Sequence, residues 1–283
     1  MSVAPDGRGV NGDVFKKAND QPYSWSDRLY SIYLQYRLGS IPRSMRGQAI
    51  YIDLQACKEA GAIISTQMSC EELDKINRKD NTVRIVHISD THERHDELVI
   101  PQCDVLVHTG DILFAGRKQS LPLQINKLKK FDNWLSKTPS RHCLVVAGNH
   151  DMAIEELERG KGSGIRSVFE NAVLLHNKQI DLQGLKFGGT PYSEGKSRNR
   201  AFQGHSDRDK TLMCLRDCKI DVFLSHSDDI KPTDMNINSK LWLWGHHHNR
   251  WGPSMLEGGM VSICSSIMDK HYRPANPPIV IDL

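Results

Sequence analysis

The sequence predicts an α/β fold with at least partly parallel strand pairing. Two observations carry that prediction. From Thr82 onward, short apolar runs alternate with longer helical stretches, and a strand, a crossover helix and a second strand make the unit of a parallel sheet. In addition, polar clusters rich in histidine and aspartate follow the apolar runs one after another, as happens where reactive groups gather beyond the carboxyl ends of strands.

The elements follow in order. Residues 1–22 are polar and without period, which predicts a mobile tail. Ser24–Leu38 has Trp25, Leu29, Ile32, Tyr33 and Tyr36 on one face at helical spacing. That face suits packing on the protein's own core, an oligomer contact or a membrane surface. Asp53–Ile63 is a further helical stretch, and Ser69 with Glu72 three residues later forms a capping-box pattern that opens another. Lys79-Asp80-Asn81 breaks the pattern, so residues 1–80 are expected to form an N-terminal tail with a helical extension, and residues 81–283 the main domain. Within that domain the predicted strands are Val83–Ser89, Asp104–His108, Leu144–Ala147, Asp221–Ser225, Leu241–Trp244, Met260–Cys264 and Pro278–Asp282. Asn177–Gly188 reads as a hairpin turning at Gln183-Gly184. The predicted helices are Leu121–Lys137, part of Asp151–Glu170, and Asp207–Cys218.

Composition bounds the class. With 283 residues, 39% hydrophobic and 25% charged, the chain has the make-up of a soluble globular protein of one large or two small domains. The formal net charge of +3, with no block of five like charges, gives no signal for a nucleic-acid or other polyanion partner. No run of about 18 apolar residues is present and no apolar segment opens the chain, so neither a transmembrane helix nor a secretory signal is expected. The seven cysteines are odd in number and form no CxxC pair, which suits reduced thiols in a cytoplasmic protein.

The chemistry lies in five short motifs, each at the end of a predicted strand. VRIVHIS runs into Asp90-Thr91-His92, and side chains two apart in extended chain point the same way, toward one ion. DVLVHT ends in Gly110-Asp111, CLVVA in Gly148-Asn149-His150-Asp151, IDVFLS in His226, and LWLW in Gly245-His246-His247-His248. If the chain stays extended, His246 and His248 point one way and His247 the other. Singly these fragments are weak, since an Asp after Gly is usually a turn residue. Together, in order and each on its own strand, they are specific. His87, His108 and His176 lie inside strands and read as structural.

This series resembles the calcineurin-like metallophosphoesterase superfamily, and within it the brain-type metallophosphoesterase-domain proteins of animals. The finer likeness rests on Ile88–His92, Val107–Asp111, Ala147–His150 and the ending Asn276-Pro277-Pro278-Ile279-Val280-Ile281-Asp282-Leu283. The resemblance implies a four-layer α/β/β/α sandwich of two mixed sheets flanked by helices. It implies two divalent metal ions, with Asp90, His92 and His248 on the first, Asn149, His226 and His246 on the second, and Asp111 bridging. Oxygen and imidazole donors without thiolate suit Mn²⁺ foremost, with Fe or Zn²⁺ as alternatives. A metal-bridging hydroxide would attack phosphorus, with Asn149 beside it and His150 as general acid. Asp151 could orient His150, or be a helix N-terminal residue.

Two departures concern substrate. The Asp-Arg-Gly segment that follows GD in phosphoprotein phosphatases is replaced by Ile112-Leu113-Phe114-Ala115-Gly116, which turns the expectation toward small phosphodiester or cyclic nucleotide substrates. Around His226 the family's Thr-His-Gly-Pro-Pro becomes Ser225-His226-Ser227-Asp228-Asp229. Some brain-type relatives lack one GHxH histidine and are feeble enzymes, whereas this chain keeps both. The alternatives are a phosphomonoesterase or nuclease of the same fold, or a non-catalytic scaffold. Arg94, Tyr192, Arg198 and Arg200 read as ordinary surface residues, and homo-oligomerisation through the N-terminal helix is the one protein contact expected.

Overall fold

The structure, a computed structural model, describes residues 40–114, 119–160, 164–195 and 199–283. The helix expected over Ser24–Leu38, the oligomer contact expected through it, and Arg198 lie outside the described residues. In chain order the first strands are β1 (Gln48–Asp53), β2 (Ser65–Ser69), β3 (Arg84–Ile88), β4 (Cys103–Thr109), β5 (Ser140–Val146) and β6 (Val173–Leu174). They are followed by β7 (Lys178–Leu182), β8 (Leu185–Thr190), β9 (Val222–Ser225), β10 (Leu241–Trp244), β11 (Gly252–Met255), β12 (Val261–Cys264) and β13 (Ile279–Asp282). The helices are α1 (Leu54–Ala60), α2 (Cys70–Asp74), α3 (Leu121–Leu135), α4 (Met152–Arg159) and α5 (His205–Leu215).

The strands form two mixed sheets, a seven-stranded one ordered β2-β1-β13-β3-β4-β5-β6 and a six-stranded one ordered β11-β12-β10-β9-β8-β7. β3, β4, β5 and β6 run parallel, as do β8, β9, β10 and β12. Every second side chain of these strands enters the space between the sheets. Ile85, Val105, Val107, Leu144 and Val146 meet Phe187, Val222, Leu224, Leu241, Leu243, Val261 and Ile263 there. The alternate residues cover the outer faces. Val86, Ile88, Leu106 and Val145 pack under α3 and α4 through Ile125, Leu128, Phe131, Ile154 and Leu157, which recur at helical spacing. Phe223, Trp242 and Trp244 pack with Leu215 of α5 and with Met235 and Ile237. Burial on both faces explains why these strands read as unbroken apolar runs. The result is the expected α/β/β/α sandwich.

Local signals act as the sequence indicates. Ser69 and Glu72 complete a reciprocal capping box at α2. Asp53 caps α1 by accepting from the Ala56 N–H at 3.0 Å. Gln183 and Gly184 both take left-handed backbone (φ 52° and 77°), the two-residue turn that joins β7 to β8.

Residues 40–80 differ from the expectation. Their two helices are present, but β1 and β2 were read past, because the Ile50-Tyr51-Ile52 run is short and abuts a helix cap. β1 pairs in parallel with the C-terminal β13, so the division at residue 80 falls inside one sheet. A buried ion pair fastens this part of the sheet. Arg84 Nε and Nη2 donate to the Asp282 carboxylate, both at 2.8 Å, and Nη1 donates to the Leu73 carbonyl at 2.8 Å. Tyr51 Oη donates to the same carboxylate at 3.1 Å. Replacing Asp282 by Ala would leave a buried guanidinium uncompensated, so Asp282→Ala is expected to lose about 3–5 kcal/mol of stability in urea unfolding.

Candidate metal centre

The motif residues sit in the turns that leave β3, β4, β5, β9 and β10. The chain does not stay extended there. Asp90, His92, Asp111 and His246 all adopt left-handed backbone, with φ of 52°, 42°, 56° and 67°. Asp90 and His92 converge as expected, but through a tight turn rather than through strand alternation. That turn is held by main-chain bonds from Asp90 N to Gly110 O (2.9 Å), His92 N to Asp111 O (3.1 Å) and Glu93 N to Ile112 O (2.8 Å). The motif glycines permit the close approach. A Cβ on Gly110 would lie 2.8 Å from Gly148 N, one on Gly148 would lie 2.7 Å from His226 Cε1, and one on Gly245 would lie 2.7 Å from Ser89 Cβ and strike the Asp90 carboxylate.

All seven candidate ligands come together. Asp90, His92 and His248 present donor atoms within 4.8 Å of one another, and so do Asp111, His226 and His246. Asp111 stands between the groups. Its Oδ1 is 3.3 Å from His226 Nε2, and its Oδ2 is 3.8 Å from both His92 Nε2 and His150 Nε2. Asn149 Oδ1 lies 3.0 Å from His226 Nε2, and Asn149 Nδ2 donates to the Asn199 carbonyl at 3.2 Å, which turns the amide oxygen inward.

The tautomers follow from the carbonyls. His92 Nδ1 donates to Leu113 O (3.0 Å), His226 Nδ1 to Thr109 O (2.8 Å), His248 Nδ1 to Asp269 O (3.1 Å) and His150 Nδ1 to Phe114 O. A carbonyl only accepts, so each Nδ1 carries its proton and each Nε2 faces the centre. His92 Nε2 and His248 Nε2 face each other at 3.4 Å, and Asp90 Oδ1, buried beside them, lies 3.3 Å from His248 Nε2. Converging buried carboxylate and imidazole donors fit cations.

The electrostatics agree. Burial, then the neighbouring His150 charge, holds His92 well below the ordinary imidazole range. Burial, then His226, brings His246 down to about 4, and burial lowers His226. These rings are therefore neutral at neutral pH and able to ligate. Burial opposes charge on Asp90 and His248, yet their mutual contact prevails, so Asp90 is lowered and His248 raised. Burial raises Asp111.

The surroundings complete the site. Asp151 is neither an exposed helix-end residue nor a partner of the His150 ring. It is fully buried and accepts from Gly148 N (2.8 Å), Leu113 N (2.9 Å) and Ile112 N (3.3 Å), which staples the turn after β4 to the turn after β5. Burial and then Asp111 raise its carboxyl to about 7. A cavity of about 270 Å³ opens over the centre, lined by Asp111, Asn149, His150, His246, His248 and Tyr272 among others, with Lys270 and Asn249 also on its wall. Burial, then Asp111 and Asp90, raise the Tyr272 phenol to about 12. His247 also lines the cavity, where the alternation of an extended chain would have turned it away, and its Nε2 pairs with Asp228 at 2.8 Å. His87 and His108 are structural, bonded to Thr109 and Thr91 at 2.9 Å. Arg94, Tyr192 and Arg200 do not line the cavity. Sequence reading missed Asn199, Asp269 and Tyr272, which no spacing rule links to the motifs. It also passed over Phe114, whose neighbourhood to Gly110-Asp111 was the available signal.

A four-layer sandwich with two His/Asp clusters at its strand ends, linked where Asp111 of one approaches His92 of the other, has the make-up of a dinuclear metallohydrolase. Comparison with known proteins agrees. The family model "Calcineurin-like phosphoesterase" matches residues 83–250. The chain is 26% identical over 243 residues to "Metallophosphoesterase domain-containing protein 1" of Homo sapiens, covering 71% of each chain. It is 27% identical over 239 residues to "UPF0046 protein C25E10.12" of Caenorhabditis elegans, covering 72% of this chain and 82% of that one. One solved structure superposes with a TM-score of 0.50 at 17% identity, over 64% of this chain and 90% of the other, which supports the fold. The chain belongs to the calcineurin-like phosphoesterase family. It is therefore a metal-dependent hydrolase of phosphoric esters, in a family that uses a dinuclear divalent metal site. No described helix is long and apolar enough to cross a membrane.

If Gly245 gives the space that lets Asp90 face His248, then Gly245→Ala should push that carboxylate aside. The expected result is loss of bound metal after reconstitution with Mn²⁺, read by elemental analysis, in a variant that still unfolds cooperatively.

Proposed function

We propose that this chain is a phosphodiesterase for small or cyclic nucleotide phosphodiesters. The observation that carries the reading is Asp111 set between two His/Asp clusters, with His150 Nε2 facing the same carboxylate at 3.8 Å. Asp90, His92 and His248 would hold one ion, Asn149, His226 and His246 the other, and Asp111 would touch both. When bound, two divalent ions supply Lewis acidity toward the phosphoryl group and toward water. The donor set is oxygen and imidazole only, and Mn²⁺ is the ion proposed.

The protein's own groups do the rest. The Phe114 carbonyl holds the His150 Nδ1 proton, so Nε2 faces the cavity and, in the imidazolium form, gives its proton to the leaving ester oxygen. The His150 main-chain N–H donates to Asp111 Oδ1 at 2.9 Å and so ties the acid to the shared carboxylate. The segment that replaces Asp-Arg-Gly has a positional job here, since Ile112 and Leu113 are buried and the Leu113 and Phe114 carbonyls orient His92 and His150. Among the described residues the one Lys or Arg on the cavity wall is Lys270, a sparse positive lining that suits a diester monoanion better than a monoester dianion.

With Mn²⁺ the purified protein is expected to hydrolyse bis-p-nitrophenyl phosphate faster than p-nitrophenyl phosphate. His150→Ala should lower kcat by about 10²–10⁴ with metal content unchanged. Equal rates for the wild type and Asp111→Ala would sink the reading. Restoration of turnover by Zn²⁺ or Fe²⁺ but not by Mn²⁺ would overturn the choice of ion.

A further inference from the structure

The turn after β12 holds a residue the motifs do not include. Asp269 organises it. Its carboxylate accepts from His271 N (2.8 Å), Arg273 N (3.0 Å) and Arg273 Nε (2.9 Å), while its main-chain carbonyl accepts from His248 Nδ1 (3.1 Å) and Tyr272 N (2.9 Å). One carbonyl thus fixes the tautomer of a candidate ligand and the position of Tyr272 together. Tyr272 takes left-handed backbone, φ 60°, which is costly for a bulky side chain and is held by these bonds. The ring then stands over the centre. Its centroid is 4.7 Å from that of His248, 5.2 Å from His92, 5.3 Å from Phe114 and 6.3 Å from His150.

The hydroxyl is the unusual part. The other two described tyrosines, Tyr51 and Tyr192, donate to the carboxylates of Asp282 and Glu194. Tyr272 is half-buried and lines the cavity, and its hydroxyl has no hydrogen-bond partner among the described residues. Lys270, two residues earlier on the same turn, lines the cavity mouth and is exposed, with no ion pair among the described residues. The turn therefore offers one O–H donor and one ammonium on the side of the cavity nearest Asp90, His92 and His248.

We infer that Tyr272 is a substrate-positioning residue: its hydroxyl donates a hydrogen bond to a non-bridging phosphoryl oxygen above the Asp90–His92–His248 group, while its ring and Phe114 wall the ester substituent. The inference rests on the phosphoester reading of the same cavity. Tyr272→Phe is the test, because it removes the donor and keeps every ring contact. In the Mn²⁺-loaded full chain, metal content and unfolding midpoint should stay at wild-type values. The dissociation constant for orthophosphate, by isothermal titration, should rise, and kcat/KM for bis-p-nitrophenyl phosphate should fall, each roughly tenfold or more, as for a lost hydrogen bond to a charged group. Unchanged phosphate affinity and kcat/KM would overturn the inference, and so would loss of metal, which would mark a structural role. Should the wild type bind phosphate yet turn over no diester, the proposed activity fails, while weaker phosphate binding by Tyr272→Phe still upholds the role of the hydroxyl.

Discussion

The structure depends on a cluster of buried carboxylates and imidazoles with which, among the described residues, no lysine or arginine pairs. The Asp90 and Asp111 carboxylates and the rings of His92, His226, His246 and His248 crowd one end of the sandwich, and most are closed to water. Such a set is unfavourable in a low-dielectric place unless cations join it. The protein spends backbone strain to build it. Four of the seven candidate ligands have left-handed φ, at about 1–3 kcal/mol each for residues other than glycine. Main-chain bonds between the turns after β3 and β4 hold that conformation at Asp90, His92 and Asp111, and His246 N donates to Asp90 Oδ2 at 2.9 Å.

The two sheets make this crowding possible. The larger contributes Asp90, His92, Asp111 and Asn149 from the ends of parallel strands, and the smaller contributes His226, His246 and His248 from the facing edge. Neither could hold the arrangement alone. The apolar layer between them, with Val107 and Val146 against Leu224 and Leu243, fixes how far apart the two edges stand. Asp151 locks two of the turns by satisfying three main-chain N–H groups, a task a helix-end aspartate in water could not perform.

What was legible in the sequence follows from this physics. The strands buried on both faces announce themselves as apolar runs, and the ligands announce themselves because each must follow such a run. Ile50-Tyr51-Ile52 was illegible, since β1 is half-exposed and its partner β13 lies more than two hundred residues away in sequence. The reason given for the convergence of Asp90 and His92 was also incomplete, because a left-handed φ at aspartate or histidine leaves no mark in composition. Tyr272 and Asn199 were hidden for another reason. Each reaches the centre from a loop with no motif of its own, so only the closed fold shows that the Asp269 turn and the Asn199 carbonyl face the ligands.

The altered loop after His226 bears on how the centre keeps its shape. The family's Gly-Pro-Pro would stiffen the chain at that point through restricted φ. Here Ser227-Asp228-Asp229 does the same work with hydrogen bonds. Asp229 accepts from the Ser227 hydroxyl and from Glu194 N, both at 2.6 Å, which closes the loop against the segment after β8. Asp228 pairs with His247 at 2.8 Å and with Arg250, and burial notwithstanding, His247 holds its carboxyl below the ordinary range. Because His247 lies between two candidate ligands, that pair joins the loop carrying His226 to the loop carrying His246 and His248. Stiffness conferred by covalent ring constraint is thus replaced by an electrostatic tie between the loops. The tie is made at the cavity wall, through His247, so the substitution alters the rim while leaving the seven candidate ligands in place.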